Sequence, residues 1–323
     1  GQVPFTMERI ASIYGMRYGG QRLLVFKEVL MRTILTYCRA WAAMGVAWGA
    51  TAGAAGVAVF VGIPYGLCVD SLLGRWVPNP FAWIPRVWAA FVTHVCMRGI
   101  LGVRVVVRGT VAPARARELV LCIGNHPSAL GMPIIGWVIT RYLAPRIVAV
   151  GKREHVWNPF IGWPLMIARA VILINRSDRA AAHTSIRDGL RRLSDAARAL
   201  IIFPDMRRPT LARIAADCEK FADRIPNIRA WLRHTLVPRT GGLAAILQSV
   251  HGSVRIIHVT GAFDVEEFGI GDAPRIIGRT YYVDVVEHSD PPLPTDDAAL
   301  ARVLNALWEA KNRQIAAWRL ARN

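Results

Sequence analysis

Val120-Leu121-Cys122-Ile123-Gly124-Asn125-His126-Pro127-Ser128-Ala129-Leu130-Gly131 begins as an apolar run of strand character and ends in a turn that carries an Asn-His pair. A histidine just past the end of a buried strand suits chemistry. The strand fixes its base and the loop leaves its ring open to a ligand. A polar turn with an incidental histidine is the competing reading of this stretch alone, and the remainder of the chain has to separate the two.

On either side of this stretch, short β-branched runs alternate with helical ones. Val103–Val107, Leu119–Ile123, Ile147–Val150, Val171–Ile174, Leu200–Phe203, Val254–Val259 and Tyr281–Val286 read as strands. Pro133–Leu143, Pro159–Arg169, Ala180–Arg198, Leu211–Arg224 and Gly242–Val250 read as helices between them. The tail Ala298–Leu320 reads as a long helix, with Asp296-Asp297 where an N-terminal turn favours acids. The pattern predicts an α/β fold with a mixed, largely buried sheet flanked by helices.

The region before the first strand has another character. From Trp41 to Val69 no residue is charged, a run longer than the roughly 20 residues that cross a bilayer as a helix. Gly45, Gly49 and Gly53 recur at the spacing that lets a second helix approach, and Pro64 and Gly66 predict a bend. Residues 81–101 carry Trp83, Trp88, Phe91 and Ile100 among Arg86, His94 and Arg98, as an interfacial amphipathic helix would. The expected organisation is an N-terminal membrane-embedded helical region over residues 1–101 and an α/β domain with a C-terminal helix over 102–323.

Composition agrees with contact to an anionic surface. Net charge is +18 and the pI is about 10.9, while hydrophobic residues make up 53% and mean hydropathy is +0.30. Such a chain is drawn to anionic lipid, nucleic acid or phosphorylated substrates. No motif supports a nucleic-acid enzyme. The five cysteines are scattered without a CxxC pair, so neither a zinc site nor a disulfide framework is indicated, and they read as free thiols.

Four clusters sit at predicted strand ends. Asn125-His126 is the first. The second runs from Lys152-Arg153 through Asn158-Pro159-Phe160-Ile161-Gly162-Trp163 to Asn175-Arg176-Ser177. The third is Phe203-Pro204-Asp205-Met206-Arg207-Arg208, and the fourth is Leu236-Val237-Pro238-Arg239-Thr240-Gly241-Gly242. Together they describe a pocket with one histidine and several arginines, the equipment for a base acting on a hydroxyl beside a phosphate.

In order and spacing these clusters resemble the four blocks of the glycerolipid acyltransferase family, which includes 1-acylglycerol-3-phosphate and lysocardiolipin acyltransferases. Its first block, Asn-His-four residues-Asp, is matched by Asn125 to Gly131. Arg176 matches the arginine of the second block, Phe203 to Arg208 match the third in part, and Pro238 matches the centre of the fourth. The run Leu236 to Leu243, with Trp308-Glu309-Ala310-Lys311 in the tail, resembles the eukaryotic membrane-bound branch.

The resemblance implies that His126 is the general base. Arg176 and Arg208 would be phosphate ligands, Lys152 a further anionic contact, and Asn125, Asp205 and Pro238 part of the substrate site. No cofactor is implied. Acyl-CoA would be the co-substrate, a lysophospholipid the acceptor, and a phospholipid membrane the setting. The family points to the endoplasmic reticulum. An arginine-rich chain starting at Gly1 fits a mitochondrial membrane.

The chain departs from the family pattern at two places. Gly131 stands where the aspartate that orients the histidine is expected, and no carboxylate lies between Glu118 and Glu154. In the third block Asp205, Met206 and Arg207 replace Glu, Gly and Thr. Two expectations follow. Either the protein is an acyltransferase, impaired or rescued by a carboxylate from elsewhere such as Asp205 or Asp178, or it is an inactive relative acting as a lipid-binding or structural subunit of a larger complex.

Overall fold

The computed structural model describes residues 20–65, 79–116, 118–126, 128–158, 162–175, 178–191, 198–250, 254–267, 269–289 and 292–321. Arg176, Cys68, Gly66 and the end of the charge-free run lie outside the described residues.

Helix α1 (Gly20–Val57) continues through a π-helical turn, Ala58–Gly62, into Ile63–Tyr65, so the chain stays helical across Pro64. Lys27–Tyr65 is long and apolar enough to cross a membrane, and only 12% of its most apolar window is buried. Trp41, Trp48 and Phe60 are exposed on it. Among the described residues, no atom of another element comes within 4 Å of a Cβ placed at Gly45, Gly49 or Gly53. Helix α2 (Ile84–Phe91) runs on in a π-helix, Val92–Ile100, and the Trp88 indole donates to Thr51 Oγ1 of α1 at 3.1 Å. Gly102, at φ +67, ends this helix in the left-handed conformation that glycine adopts freely.

Seven strands form one sheet in the order β1-β7-β6-β2-β5-β3-β4. They are β1 (Arg104–Arg108), β2 (Leu119–Gly124), β3 (Arg146–Lys152), β4 (Val171–Ile174), β5 (Arg198–Ile202), β6 (Arg255–Phe263) and β7 (Thr280–Glu287). Every pairing is parallel except β6 with β7. Helices α3 (Met132–Tyr142), α4 (Gly162–Ile167), α5 (Arg179–Arg191), α6 (Leu211–Phe221), α7 (Ile228–Trp231), α8 (Gly241–Ser249) and α9 (Asp297–Leu320) complete the fold. All seven predicted strands are present. The helix expected over Ala180–Arg198 ends earlier, because Arg198 already pairs in β5 with Leu119 of β2 and Arg146 of β3.

β2 lies at the centre and is buried on both faces, as a parallel-sheet strand must be. Strand pleat sends alternate residues to opposite sides. Val120 and Cys122 join a cluster with Ile135, Ile139 and Met97, to which Ala40, Ala43 and Met44 of α1 also belong. Leu121 and Ile123 pack instead with Ile246, Leu300, Leu304 and Trp308. The long N-terminal helix therefore shares the core of the sheet's first face, and the C-terminal helix covers the second. Among the described cysteines, Cys96 and Cys122 are buried, Cys38 is exposed and Cys218 half-buried, all as free thiols.

Candidate active site

Parallel strands end together, so the loops after β2, β5 and β6 leave the sheet on one side, the usual place for a ligand in such a sheet. Gly124 is paired with Val259, and Ile123 with Ile202. The loop after β2 carries Asn125 and His126, and the loop after β5 carries Asp205 and Arg208.

Asn125 is buried and locks the loop to β6. Its Nδ2 donates to Gly261 O at 3.0 Å, and its Oδ1 accepts from Gly261 N at 3.0 Å. This pairing extends the sheet by one side-chain rung, and it makes Asn125 a residue that positions its neighbour. The backbone N–H of His126 donates to both carboxylate oxygens of Asp205, at 2.9 and 2.8 Å. The His126 ring is part-exposed and leans on Phe203, with centroids 5.1 Å apart.

Asp205 thus holds the histidine through its main chain. Burial pushes its carboxyl up to about 8, against the opposing pull of the His126 N–H and the Lys311 ammonium. The Trp308 indole N–H also favours the Asp205 anion, although it falls short of hydrogen-bond geometry. Lys311 is itself buried in α9 and donates to Val259 O at 2.7 Å and Thr260 Oγ1 at 3.0 Å. Burial pulls its amine down to about 7, opposed by Asp205 and Asp284. This cluster ties the loop after β5 to β6 and the tail helix.

Met206 follows with φ +59, in the left-handed region that disfavours a side chain. This is where the resembled motif has glycine, so the backbone keeps a shape that suits glycine while carrying methionine. Pro204 O accepts from Arg239 N at 2.8 Å, which joins the third cluster to the fourth. Asp217 of α6 accepts from Val237 N at 3.0 Å and from Arg239 Nη2 at 3.3 Å, and so holds the buried Pro238 segment on both sides.

The remaining predicted residues fall as follows. Arg208 is exposed on the same loop as Asp205. Lys152 ends β3 beside Ile174, two strands from β2. Asp178 caps α5, its Oδ1 accepting from Ala181 N at 2.9 Å. Among the described residues, no group of three His, Cys, Asp or Glu side chains is gathered to hold a metal ion.

Two residues at the site, Tyr281 and Glu267, have no role in the sequence pattern. Tyr281 of β7 is buried, and its ring fills the volume beside Gly131. A Cβ on Gly131 would lie 2.5 Å from Tyr281 Oη and 2.7 Å from Cε2. The space where the motif's aspartate would project is therefore occupied. Glu267 lies in the loop after β6, near the Ser128 hydroxyl. Ser128 Oγ accepts from the N–H groups of Leu130 and Gly131, each at 3.1 Å. Burial pushes the Glu267 carboxyl up to about 7, with Ser128, Arg319 and Arg208 favouring the anion and Asp272 opposing it. Only the adjacent pair Glu266-Glu267 at a predicted strand exit hinted at an acid here, and no spacing connects it to His126.

The acyltransferase family model matches residues 104–259, from the first residue of β1 into β6. The 1-acyl-sn-glycerol-3-phosphate acyltransferase of Haemophilus influenzae is 31% identical over 83 residues, which is 26% of this chain and 32% of that protein. The protein of the same description from Limnanthes douglasii is 29% identical over 116 residues, 36% of this chain and 38% of that protein. The chain spans about a third of the length of the curated relatives it matches. The crystal structure of the 1-acyl-sn-glycerophosphate (LPA) acyltransferase PlsC from Thermotoga maritima is similar over 83% of this chain and 95% of that one, at 14% identity and a TM-score of 0.49.

Proposed function

Residues 104–259 form an acyltransferase domain of the glycerolipid family, and from that premise we propose that the protein transfers an acyl group from acyl-CoA to the free hydroxyl of a lysophospholipid. His126 takes the hydroxyl proton as the oxygen attacks the thioester carbonyl. The tetrahedral intermediate collapses, the C–S bond breaks, and the proton passes to the departing thiolate. Arg208, with Arg176 by its place in the second motif, is assigned to the acceptor's phosphate, where guanidinium geometry favours paired hydrogen bonds. Acyl-CoA as donor and a 1-acylglycerol-3-phosphate type of acceptor are the specific parts of this reading.

The observation that carries it is the fixing of His126 from three directions. Asn125 is bound to Gly261, the His126 N–H is bound by Asp205, and Phe203 packs on the ring, while the imidazole keeps solvent access. A merely structural turn has no need of a buried carboxylate held there at the cost of its desolvation. A groove of about 510 Å³ between α6 and α9, lined by Leu211, Ile214, Leu232, Ala316 and Leu320 with Arg319 and His234, gives apolar surface of the kind an acyl chain requires.

Membrane attachment belongs to the same proposal. α1, α2 and the residues that adjoin them expose Trp41, Trp48, Phe60, Trp83, Val87 and Phe91, and burying such side chains in lipid is favourable. A second reading, a lipid-binding relative without turnover, is favoured by Gly131 and by the tyrosine that fills the space beside it. The deciding experiment is acyl transfer from long-chain acyl-CoA to lysophosphatidic acid by full-length protein in lipid vesicles. Transfer is expected and is lost in His126→Ala. Wild-type protein with no transfer above background sinks the enzymatic reading.

A further inference from the structure

The buried seam of α9 turns polar at one point. Leu300, Leu304, Trp308, Ile315 and Trp318 recur at helical spacing and are buried. Within this apolar row, on the turn after Trp308, stand Lys311 and Asn312, which are buried as deeply. Burying an amine and an amide side by side is costly unless each finds partners. Both find them on the segments that carry the site.

Asn312 uses a full set of four hydrogen bonds. Its Oδ1 accepts from Arg233 N at 3.1 Å and His234 N at 2.8 Å. Its Nδ2 donates to Thr235 Oγ1 at 2.7 Å and Trp308 O at 2.8 Å. The segment so held leads directly into Leu236-Val237-Pro238-Arg239. Arg239 N then donates to Pro204 O, next to the Asp205 that receives the His126 N–H. Lys311 reaches the other way. Its Nζ donates to Val259 O at 2.7 Å and Thr260 Oγ1 at 3.0 Å. The residue that follows, Gly261, pairs with the Asn125 side chain through both of its main-chain groups. Two adjacent residues of one helix therefore begin two hydrogen-bonded routes. One runs through the end of β6 to Asn125, the other through residues 233–239 to Asp205, and both arrive at His126.

We propose that Lys311 and Asn312 form a latch by which the C-terminal helix holds the His126 loop in its working position, Lys311 through the end of β6 and Asn312 through the segment before Pro238. Neither touches the reacting groups, so both are positioning residues. The latch accounts for a polar pair in an apolar seam. Leucine-like residues there would cover the sheet, but would leave Val259 O and the N–H groups of Arg233 and His234 without these partners.

The proposal rests on the acyl-transfer reading for its kinetic arm alone, so backbone hydrogen exchange, followed by mass spectrometry, is measured beside turnover on the full chain in phosphatidylcholine vesicles. Lys311→Met keeps the length of the side chain and removes its donors. It is expected to speed exchange at Gly261 and His126 and to leave Arg233 and His234 as in the wild type. Asn312→Leu is expected to speed exchange at Arg233, His234 and His126 and to leave Gly261 unchanged. Asn312→Asp keeps an oxygen for the two N–H groups and is expected to restore their protection. Lys311→Met is also expected to lower kcat about ten- to hundredfold, the scale of a misplaced catalytic group. KM for lysophosphatidic acid should change little, because no acceptor-binding group is removed. The wild type supplies a test that needs no variant to fold. In rising urea, the amides of Gly261, Arg233 and His234 are expected to open together with those of residues 308–316 of α9. Protection that outlasts the opening of α9 overturns the latch. So does exchange in the variants that is unchanged, or faster along the whole chain alike, and so does full kcat in Lys311→Met. Wild-type protein without transfer overturns the enzymatic reading alone, and the exchange data then decide the latch.

Discussion

Gly131→Ala adds one methyl group at the position where the family motif would place a carboxylate, and its effect can be worked out from the packing. The backbone there is ordinary, with φ −81 and ψ −21, so alanine meets no conformational penalty. In the absence of tertiary contacts the change would stabilise by about 0.4–1 kcal/mol, through lower entropy of the unfolded chain. The contacts reverse that sign. The new Cβ would lie 2.5, 2.7 and 2.8 Å from Tyr281 Oη, Cε2 and Cζ. Tyr281 cannot swing away, since it is buried, packs edge-on against Phe263 with centroids 4.6 Å apart, and has its hydroxyl against Gly261 on the far side. Overpacking of this kind costs about 1–3 kcal/mol, so the net loss is about 1–2 kcal/mol. That corresponds to a fall in Tm of roughly 2–8 °C for a domain of this size. Thermal unfolding of full-length protein in detergent, followed by circular dichroism, reads it directly. Tyr281→Phe removes the nearest atom, so the alanine should cost less in that background, though the ring carbons keep it above zero. A Tm for Gly131→Ala equal to or above that of the wild type would refute the packing argument, and with it the account of why position 131 is glycine.

Other outcomes follow from single contacts. Asn125→Ala leaves the Gly261 N–H and C=O buried and unpaired, and should cost about 2–4 kcal/mol in unfolding free energy and abolish acyl transfer. Met206→Gly relieves a left-handed residue and should raise stability by about 0.5–1 kcal/mol, the penalty at φ +59 less the greater freedom of unfolded glycine, as seen in the same thermal assay. Glu267 has a folded pKa raised by burial from 4.5 to about 7, so its contribution to stability is full below pH 4.5 and is lost as pH rises through 7. Glu267→Gln removes that loss. The variant should gain on the wild type by up to about 3 kcal/mol between pH 5 and pH 8, and a constant difference across that range argues against the burial assigned to Glu267.

The strands were legible because each is a short β-branched run between turn residues, and a strand buried on both faces leaves that plain mark. The antiparallel entry of β7 was not legible. Its direction depends on the connection from β6, a stretch of loop and one short 3-10 turn whose length and composition do not announce which way it brings the chain back. The site divides in the same way. Asn125, His126, Asp205 and Pro238 stood out because each follows an apolar run. Asp205 was weighed as a substitute for the missing acid and does contact the histidine, but at the main-chain N–H. Asp178, the other substitute weighed, caps a helix. Tyr281 carries no local mark, because its meaning comes from a steric exclusion between residues that meet only when β2, β6 and β7 lie side by side.

That exclusion bears on how the altered motif should be understood. The matched region ends at residue 259, yet the partners that fix the histidine loop come largely from beyond it. Gly261 receives Asn125, Tyr281 closes the space beside Gly131, and Lys311 supports the backbone of β6 next to Asp205. A motif read only within the matched segment looks depleted at 131. With the later strands and the tail helix in place, the same turn is bound at its asparagine and at the histidine N–H. The backbone of the turn is held by the buried Asp205, and Tyr281 excludes a side chain at 131, so Gly131 and Tyr281 form one packing arrangement rather than two separate losses.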